Sequence, residues 1–259
     1  MDSYTLHRGT APLLVSLPHN GSFIPKDIEA RMKRPARRSA DTDWHVKELY
    51  AFARSLGASI LVPVASRYVV DLNRPSDGHA LYPGRKETGL VPTVQFDGND
   101  IYRPGAEPAA EEIAQRIKTW WKPYHRALAD ELSRLRKKHG RVVLWEGHSI
   151  RSHVPMLFDG RLPDLNLGTA DGASCSPALQ ARLTAVLEAQ NDYAWVANGR
   201  FKGGYITRHY GRPDDGVDAV QLELSQDTYM DEDSFAYLPR KAANVQVTLD
   251  ALLRACLAA

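Results

Sequence analysis

Short apolar runs alternate with amphipathic helical patterns along most of the 259-residue chain, and this alternation constrains the fold most strongly. The runs that predict strands are 13–17, 60–64, 68–72, 142–145, 193–197 and 217–224. The helical patterns cover 46–56, 109–139, 179–189 and 242–258. Pro123 is expected to kink or split the longest helix. Strands of about five residues between helices predict an α/β sandwich with a mainly parallel sheet. No repeat or linker divides the chain, so we expect residues 1–259 to form a single domain.

Composition excludes several functional classes. Hydrophobic residues make up 43% of the chain and charged residues 25%, which excludes disordered and fibrous proteins. The 33 basic and 31 acidic residues leave a net charge of +2, which argues against a dedicated nucleic-acid-binding protein. No run reaches the roughly 18 apolar residues of a membrane span, and we expect no secretion signal. Cys175 and Cys256 lie far apart, so a reducing cytoplasm is the simplest expected location.

Polar side chains follow the carboxyl ends of predicted strands, which is where ligands bind in open α/β sheets. His19, Asn73, Arg74, Glu146 and His148 follow three of the predicted strands, and Glu223 lies on the last predicted strand itself. Two imidazoles and one carboxylate with an open position suit a mononuclear catalytic zinc site, and a further carboxylate can act as general base. The chain contains no HExxH, CxxC, GxSxG or Walker motif, so serine-hydrolase and nucleotide-phosphate interpretations lack support.

Each of these residues also has a purely structural interpretation. His19 fits a turn histidine, and Glu223 fits a solvent-facing position in an alternating strand. Asp41 and Asp43 precede a predicted helix, and one of them is expected to be its N-cap. A surface turn is the default place for Arg74. The prediction of a site therefore rests on the convergence of these groups rather than on any one of them.

The chain resembles the N-formylglutamate amidohydrolase family, and most closely its histidine-degradation branch, in an ordered set of short segments. The segments are 16–21 (SLPHNG), 41–46 (DTDWHV), 71–75 (DLNRP), 146–149 (EGHS), 164–168 (DLNLG), 198–205 (NGRFKGGY) and 223–226 (ELSQ). Each motif alone is modest, but the ordered set from about residue 12 to about residue 230 is specific.

The resemblance implies a phosphorylase/hydrolase-like three-layer α/β fold, since the family is related to zinc carboxypeptidases and aspartoacylases. It also implies a divalent metal, expected to be one Zn²⁺ per chain. His19 and His148 match the histidine ligands of the family, and Asp43 matches the middle ligand, with Asp41 as its competitor. Carboxypeptidases have a Glu three residues after the first His, where this chain has Ser22, so the ligand carboxylate must come from elsewhere.

The resemblance also implies substrate-binding and catalytic residues. Asn73 and Arg74 resemble the carboxypeptidase pair that grips a substrate carboxylate, and Glu223 resembles the general base. The implied reaction is hydrolysis of N-formyl-L-glutamate to formate and L-glutamate by a zinc-bound water that Glu223 activates. The second carboxylate of this substrate needs another cation. The candidates are Arg103, Lys202, Arg208 and His209.

Three alternatives stay open. A related zinc deacylase or carboxypeptidase-like hydrolase would act on another N-acyl amino acid, because fold and metal site do not fix the substrate. A non-catalytic binding protein for acidic metabolites would lack the base that Glu223 offers. The basic run 31–38 suggests an RNA contact, but it contains no aromatic residue, so a solvated surface segment is the better interpretation. We expect a small acidic substrate, and neither nucleic acid nor membrane, as partner.

Overall fold

The computed structural model describes residues 2–81 and 87–258. Its strands are β1 (Tyr4–His7), β2 (Leu13–Ser16), β3 (Ser59–Pro63), β4 (Val142–Ile150), β5 (Leu165–Gly168), β6 (Trp195–Ala197) and β7 (Val217–Ser225). They form one seven-stranded sheet in the order β1-β3-β2-β4-β7-β5-β6. The four central strands β3, β2, β4 and β7 are parallel, whereas β1 and β5 pair antiparallel with their inner neighbours. The predicted mainly parallel, mixed sheet is confirmed.

The helices lie on both faces of this sheet. They are α1 (Lys26–Glu29), α2 (Val46–Leu49), α3 (Ala110–Arg116), α4 (Lys122–His139), α5 (Pro177–Ala189), α6 (Tyr205–Tyr210) and α7 (Pro239–Leu257). A π-helical turn at Ile117–Trp121 separates α3 from α4 and precedes Pro123. Proline has no N–H for the regular helical hydrogen bond and crowds the preceding turn, which explains the predicted interruption. Within the described residues, no helix has both the length and the apolar character needed to cross a bilayer.

Strand alternation divides the core into two layers. Leu13 and Val15 of β2 pack on the face that α2, α5 and α7 cover. Leu14 points to the other face, where Tyr124 and Leu128 of α4 cover the sheet. Successive side chains of a strand point to opposite faces, so a strand buried on both sides is apolar throughout. The predicted three-layer sandwich is confirmed.

The prediction of a strand over residues 68–72 is wrong. This segment is a buried turn, in which the Val69 N–H donates to the Ser66 carbonyl (2.9 Å) and the Asp71 N–H donates to the Leu90 carbonyl (2.7 Å). Contacts with neighbouring loops bury the segment, and the sequence pattern of a buried turn is as apolar as that of a buried strand.

Other elements differ from the prediction in extent. The helix predicted over 46–56 divides into α2 and a 3₁₀ turn at Ala51–Arg54. The strand predicted over 142–145 continues to Ile150, so β4 itself carries Glu146 and His148. Gly147 lies between them and faces the core, where a Cβ atom would come within 2.8 Å of a Leu17 methyl group. The sheet therefore holds both polar side chains on the opposite face, at the carboxyl ends of the parallel strands.

Candidate metal and substrate site

Three buried side chains converge where β2 and β4 end. The ligand atoms of His19, Asp43 and His148 all lie within 4.8 Å of one another. His148 Nδ1 is 3.0 Å from Asp43 Oδ2, and His19 Nδ1 is 3.9 Å from the same oxygen. The structure thus brings together the three residues that the resemblance assigns to the metal.

Backbone contacts hold Asp43 beside His19. The Asp43 N–H donates to the His19 carbonyl (3.1 Å), and Asn20 Nδ2 donates to the Asp43 carbonyl (2.9 Å). Asp41 lies outside the triad, and its Oδ2 accepts from the backbone N–H of Phe96 (3.0 Å). The N-cap of α2 is His45, so the prediction that Asp41 or Asp43 caps this helix is wrong. Both aspartates serve contacts with distant segments instead.

A carboxylate holds each imidazole through its Nε2 atom. Asp71 Oδ1 is 2.6 Å from His19 Nε2, and Glu146 Oε1 is 2.8 Å from His148 Nε2. The other oxygen of Glu146 accepts from the backbone N–H of Thr207 (3.0 Å) and from its hydroxyl. Carboxylates placed in this way fix the ring orientation and tautomer of metal-binding histidines. Both Nδ1 atoms therefore face Asp43.

The donor set fits a divalent metal such as zinc. Two imidazole nitrogens and one carboxylate oxygen are the ligands of many catalytic zinc sites, and each imidazole has a carboxylate on its remote nitrogen. The described surroundings of the two rings are also rich in acidic groups. They comprise Asp43, Asp71, Glu146 and Glu223, with the guanidinium of Arg67 as a counter-charge. A divalent cation would neutralise this excess of negative charge.

The electrostatics of the two histidines differ. Burial lowers the pKa of His19, and the nearby Arg67 adds to this effect, while Asp71 and Asp43 oppose it. Burial also acts against protonation of His148, but Asp43 and Glu146 outweigh it and raise the pKa of His148 well above its usual value. Without a metal, the favoured place for positive charge is therefore the imidazole between these two carboxylates.

Glu223 lies on β7 directly beside His148 on β4. Its side chain is 7% exposed and lines the same cavity as the two histidines, so the alternative that it faces solvent is wrong. Burial raises the pKa of Glu223 to about 8, with a further rise from Asp43 and an opposing effect of His148. A buried carboxyl group with such a pKa, next to a candidate metal site, is suited to proton transfer.

Arg67, Arg74 and Arg200 line this cavity. Arg67 is 6% exposed, and its Nη2 atom donates to Asp71 Oδ2 (2.8 Å). Burial acts against its charge, but Asp71 and Asp43 outweigh this effect and raise the pKa of Arg67. Arg74 Nε donates to the carbonyl of Thr88 (2.8 Å). The cavity lining thus offers three guanidinium groups for an anionic substrate, alongside the carboxyl groups of Glu87 and Glu223.

Asn73 lies between the metal triad and α6. Its Nδ2 atom is 3.0 Å from His148 Nε2, and its Oδ1 atom accepts from the backbone N–H of Ile206 (2.9 Å). The amide of Asn73 thus lies between the His148 ring and α6, and it also lines the cavity.

The four candidates for a second substrate cation lie elsewhere. Arg103, Lys202, Arg208 and His209 are not among the residues that line the cavity. Lys202 pairs with Asp171, and His209 stacks on Tyr205 at 4.8 Å between ring centroids. Sequence reasoning missed Arg67, Asp71 and Arg200. Their positions could have indicated them: Asp71 and Arg200 lie within segments 71–75 and 198–205 that resemble the family, and Arg67 lies four residues before the first of these segments.

Comparisons with known proteins agree with the fold and show the family. The family model described as N-formylglutamate amidohydrolase matches residues 11–230. The N-formylglutamate deformylase of Pseudomonas aeruginosa is 54% identical over 252 residues, covering 97% of this chain and 94% of that protein. The N-formylglutamate deformylase of Pseudomonas putida is 49% identical over 255 residues, covering 98% and 95%.

Solved structures share the fold. The crystal structure of N-formylglutamate amidohydrolase from Ralstonia eutropha JMP134 matches with a TM-score of 0.83 at 24% identity, covering 98% of each chain. A gene product of Agrobacterium tumefaciens matches with a TM-score of 0.74 at 18% identity, covering 98% of this chain and 95% of the other. Together with the sequence matches, these findings define an α/β enzyme that hydrolyses amide bonds. The chain belongs to the N-formylglutamate amidohydrolase family.

Proposed function

We propose that this enzyme hydrolyses N-formyl-L-glutamate to formate and L-glutamate, with one Zn²⁺ held by His19, Asp43 and His148. The observation that carries the proposal is the convergence of these three buried side chains beside Glu223 in a cavity that arginines line. The two Pseudomonas relatives, whose names state this substrate, match nearly the whole chain and support the same choice. A metal bound by the triad would supply Lewis acidity, which lowers the pKa of water and polarises a carbonyl group.

Glu223 serves as general base and then as general acid. It takes a proton from the attacking water as the new C–O bond forms at the formyl carbon. It returns this proton to the amide nitrogen as the C–N bond breaks, because an amine leaves far more readily than an amide anion. Positive charge at the triad would lower the pKa of Glu223 from about 8 and favour the ionised form near neutral pH.

Two arginines serve the charges of the substrate. The guanidinium of Arg67 offers donors to the negative charge that develops on the carbonyl oxygen, and Asp71 keeps it charged and fixed. Arg74 binds the α-carboxylate of the substrate, for which a planar guanidinium is well suited. Asn73, which lines the cavity next to Arg74, shares in binding this carboxylate, whereas Glu146 holds His148 in place.

The proposal also covers the pathway and the cellular location of the enzyme. The resemblance to the histidine-degradation branch supports a role in that pathway. Cys175 and Cys256 are free and buried, which fits the expected cytoplasmic location.

The test is formate release by the purified protein from a panel of N-acyl amino acids, namely N-formylglutamate, N-formylaspartate and N-acetylglutamate. We expect N-formylglutamate to be the preferred substrate. His148→Ala should lose zinc and activity, whereas His139→Ala, which removes an exposed histidine, should keep both. Faster hydrolysis of N-acetylglutamate would favour the related-deacylase alternative instead. Full zinc content in His148→Ala would remove this residue from the ligand set.

A further inference from the structure

The substrate proposed above carries two carboxylates at different distances from the scissile amide. The α-carboxylate is attached to the carbon that bears the amide nitrogen, whereas the side-chain carboxylate lies at the far end of the molecule. The cavity therefore needs one cation near the metal triad and another farther out. The arginines that line the cavity differ in this respect.

Arg67 and Arg74 are tied to the metal triad. Arg67 pairs with Asp71, the carboxylate that holds His19. Arg74 directly follows Asn73, whose amide lies 3.0 Å from His148 Nε2. These two cations therefore serve the part of the substrate that lies next to the reacting carbonyl.

Arg200 comes from a different part of the fold. Its Nε atom donates to the carbonyl of Leu157 (2.7 Å), and its guanidinium carbon lies 5.3 Å from the centre of the Phe201 ring. Arg200, Leu157 and Phe201 are all half-buried, whereas His19 and His148 are buried, so the former three form an outer wall of the cavity. In the reaction proposed above the formyl group lies at the buried histidines, so a half-buried side chain in the cavity wall is suited to the far end of the substrate.

The segment that carries Arg200 is fixed to the sheet. The backbone N–H of Gly204 donates to Gln221 Oε1 (2.7 Å) on β7. Asn73 packs so closely against Gly204 that a Cβ atom there would lie 2.3 Å from the Asn73 amide nitrogen. The hydrogen bond to the Leu157 carbonyl restrains the Arg200 guanidinium on this anchored segment, which reduces the entropic cost of binding a carboxylate.

We infer that Arg200 binds the side-chain carboxylate of the substrate and thereby makes the site selective for an acidic amino acid. The inference rests on the proposed function, because it concerns recognition in the same site. A guanidinium matches a carboxylate with two parallel hydrogen bonds, and the apolar surfaces of Leu157 and Phe201 strengthen charged hydrogen bonds beside them. A neutral amide at the same place forms weaker hydrogen bonds with the guanidinium, because only a carboxylate brings the opposite charge.

The test compares N-formyl-L-glutamate with N-formyl-L-glutamine, which differ only in the side-chain carboxylate, for the wild type, Arg200→Met and Arg200→Lys. We expect Arg200→Met to lose about 100-fold in kcat/KM on N-formylglutamate, mainly through KM, and less than about threefold on N-formylglutamine. Arg200→Lys keeps the charge without the planar fork, so it should lose about tenfold on N-formylglutamate alone. Arg254→Met, at an exposed ion pair on α7, is the matched control and should behave as the wild type.

Zinc content and thermal melting establish that each variant is folded. If Arg200→Met does not fold, the two-substrate comparison with Arg200→Lys decides the matter. Equal losses on both substrates in an active, folded variant would overturn the inference and leave the proposed function intact. A loss that persists on N-formylglutamine but disappears on the α-amide of N-formylglutamate would also overturn it, because Arg200 would then bind the α-carboxylate. A wild type that releases no formate from N-formylglutamate would instead refute the proposed function.

Discussion

Replacement of Glu223 by glutamine separates proton transfer from metal binding. The substitution is nearly isosteric, and Glu223 lies outside the triad of His19, Asp43 and His148, so we expect the variant to fold and to retain zinc. A glutamine cannot take up the proton of the attacking water. The loss of general acid–base catalysis reduces turnover by roughly 10²–10⁴-fold. This factor corresponds to about 3 to 5 kcal/mol of activation free energy.

The pH profile provides a second readout of the same variant. Burial raises the pKa of Glu223 to about 8, and the group acts as a base only when it is ionised. The rate of the wild type should therefore rise with pH through an acid limb, with its midpoint moved below 8 by the bound cation. Ionisation of water at the metal is coupled to the same limb, so the midpoint belongs to the pair of groups. In Glu223→Gln the carboxyl contribution to this limb is absent.

The assay measures formate release and zinc content in the same preparation of each protein. Glu188→Gln, an exposed position on α5, is the matched control and should keep both rate and zinc. A Glu223→Gln variant with more than a tenth of the wild-type rate would refute the role of this residue as the base. Simultaneous loss of zinc and activity would identify Glu223 as a metal ligand. Proton transfer and metal binding would then not belong to separate residues.

Three further predictions concern the neighbours of the site. Asp43→Asn should weaken zinc binding, measured by competition with a chelating dye, far more than Asp41→Asn; the reverse order would identify Asp41 as the ligand. Glu146→Gln presents an amide to His148 and should weaken zinc affinity by roughly 10- to 100-fold, while the rate per bound zinc changes little. Unchanged affinity with a lost rate would make Glu146 the base. Burial lowers the pKa of His125 to about 3, whereas this histidine titrates near its ordinary value of about 6.5 in the unfolded chain. The unfolded state therefore binds more protons than the folded state between these values, and stability falls as the pH falls, by up to about 1.4 kcal/mol per pH unit. Urea unfolding of His125→Gln at pH 7 and pH 5 should show a smaller decrease than the wild type, and an equal decrease would contradict this assignment.

The parts of the fold that the sequence predicts are those whose burial leaves a clear pattern. Strands β2, β4 and β7 have helices or other core residues on both faces and appear as apolar runs. Strand β5 contains Asn166 and Gly168 and only four residues, so its pattern is too short and too polar to recognise. Residues 68–72 are instead predicted as a strand although they form a turn. Neighbouring loops bury this turn, so its sequence is as apolar as that of a strand inside a sheet.

The candidate site likewise contains residues that the sequence predicts and residues that it does not. His19 and His148 are predictable because they lie at the carboxyl ends of strands, and the resemblance adds Asp43. The contact between His19 and Asp71 joins residues 52 positions apart, and no periodicity in the sequence signals it. The position of Arg200 depends on packing against Leu157, on another irregular segment. Such partners depend on how loops meet at the sheet edge, which only the folded structure specifies.

The most direct test of the account is a zinc titration of the chelator-treated protein with N-formylglutamate as substrate. Removal of the metal should abolish formate release while the fold persists, as measured by circular dichroism. Added zinc should restore the rate to a plateau at one equivalent per chain, and His148→Ala should neither bind this equivalent nor regain activity. A metal-free protein that hydrolyses N-formylglutamate at the full rate would contradict the account.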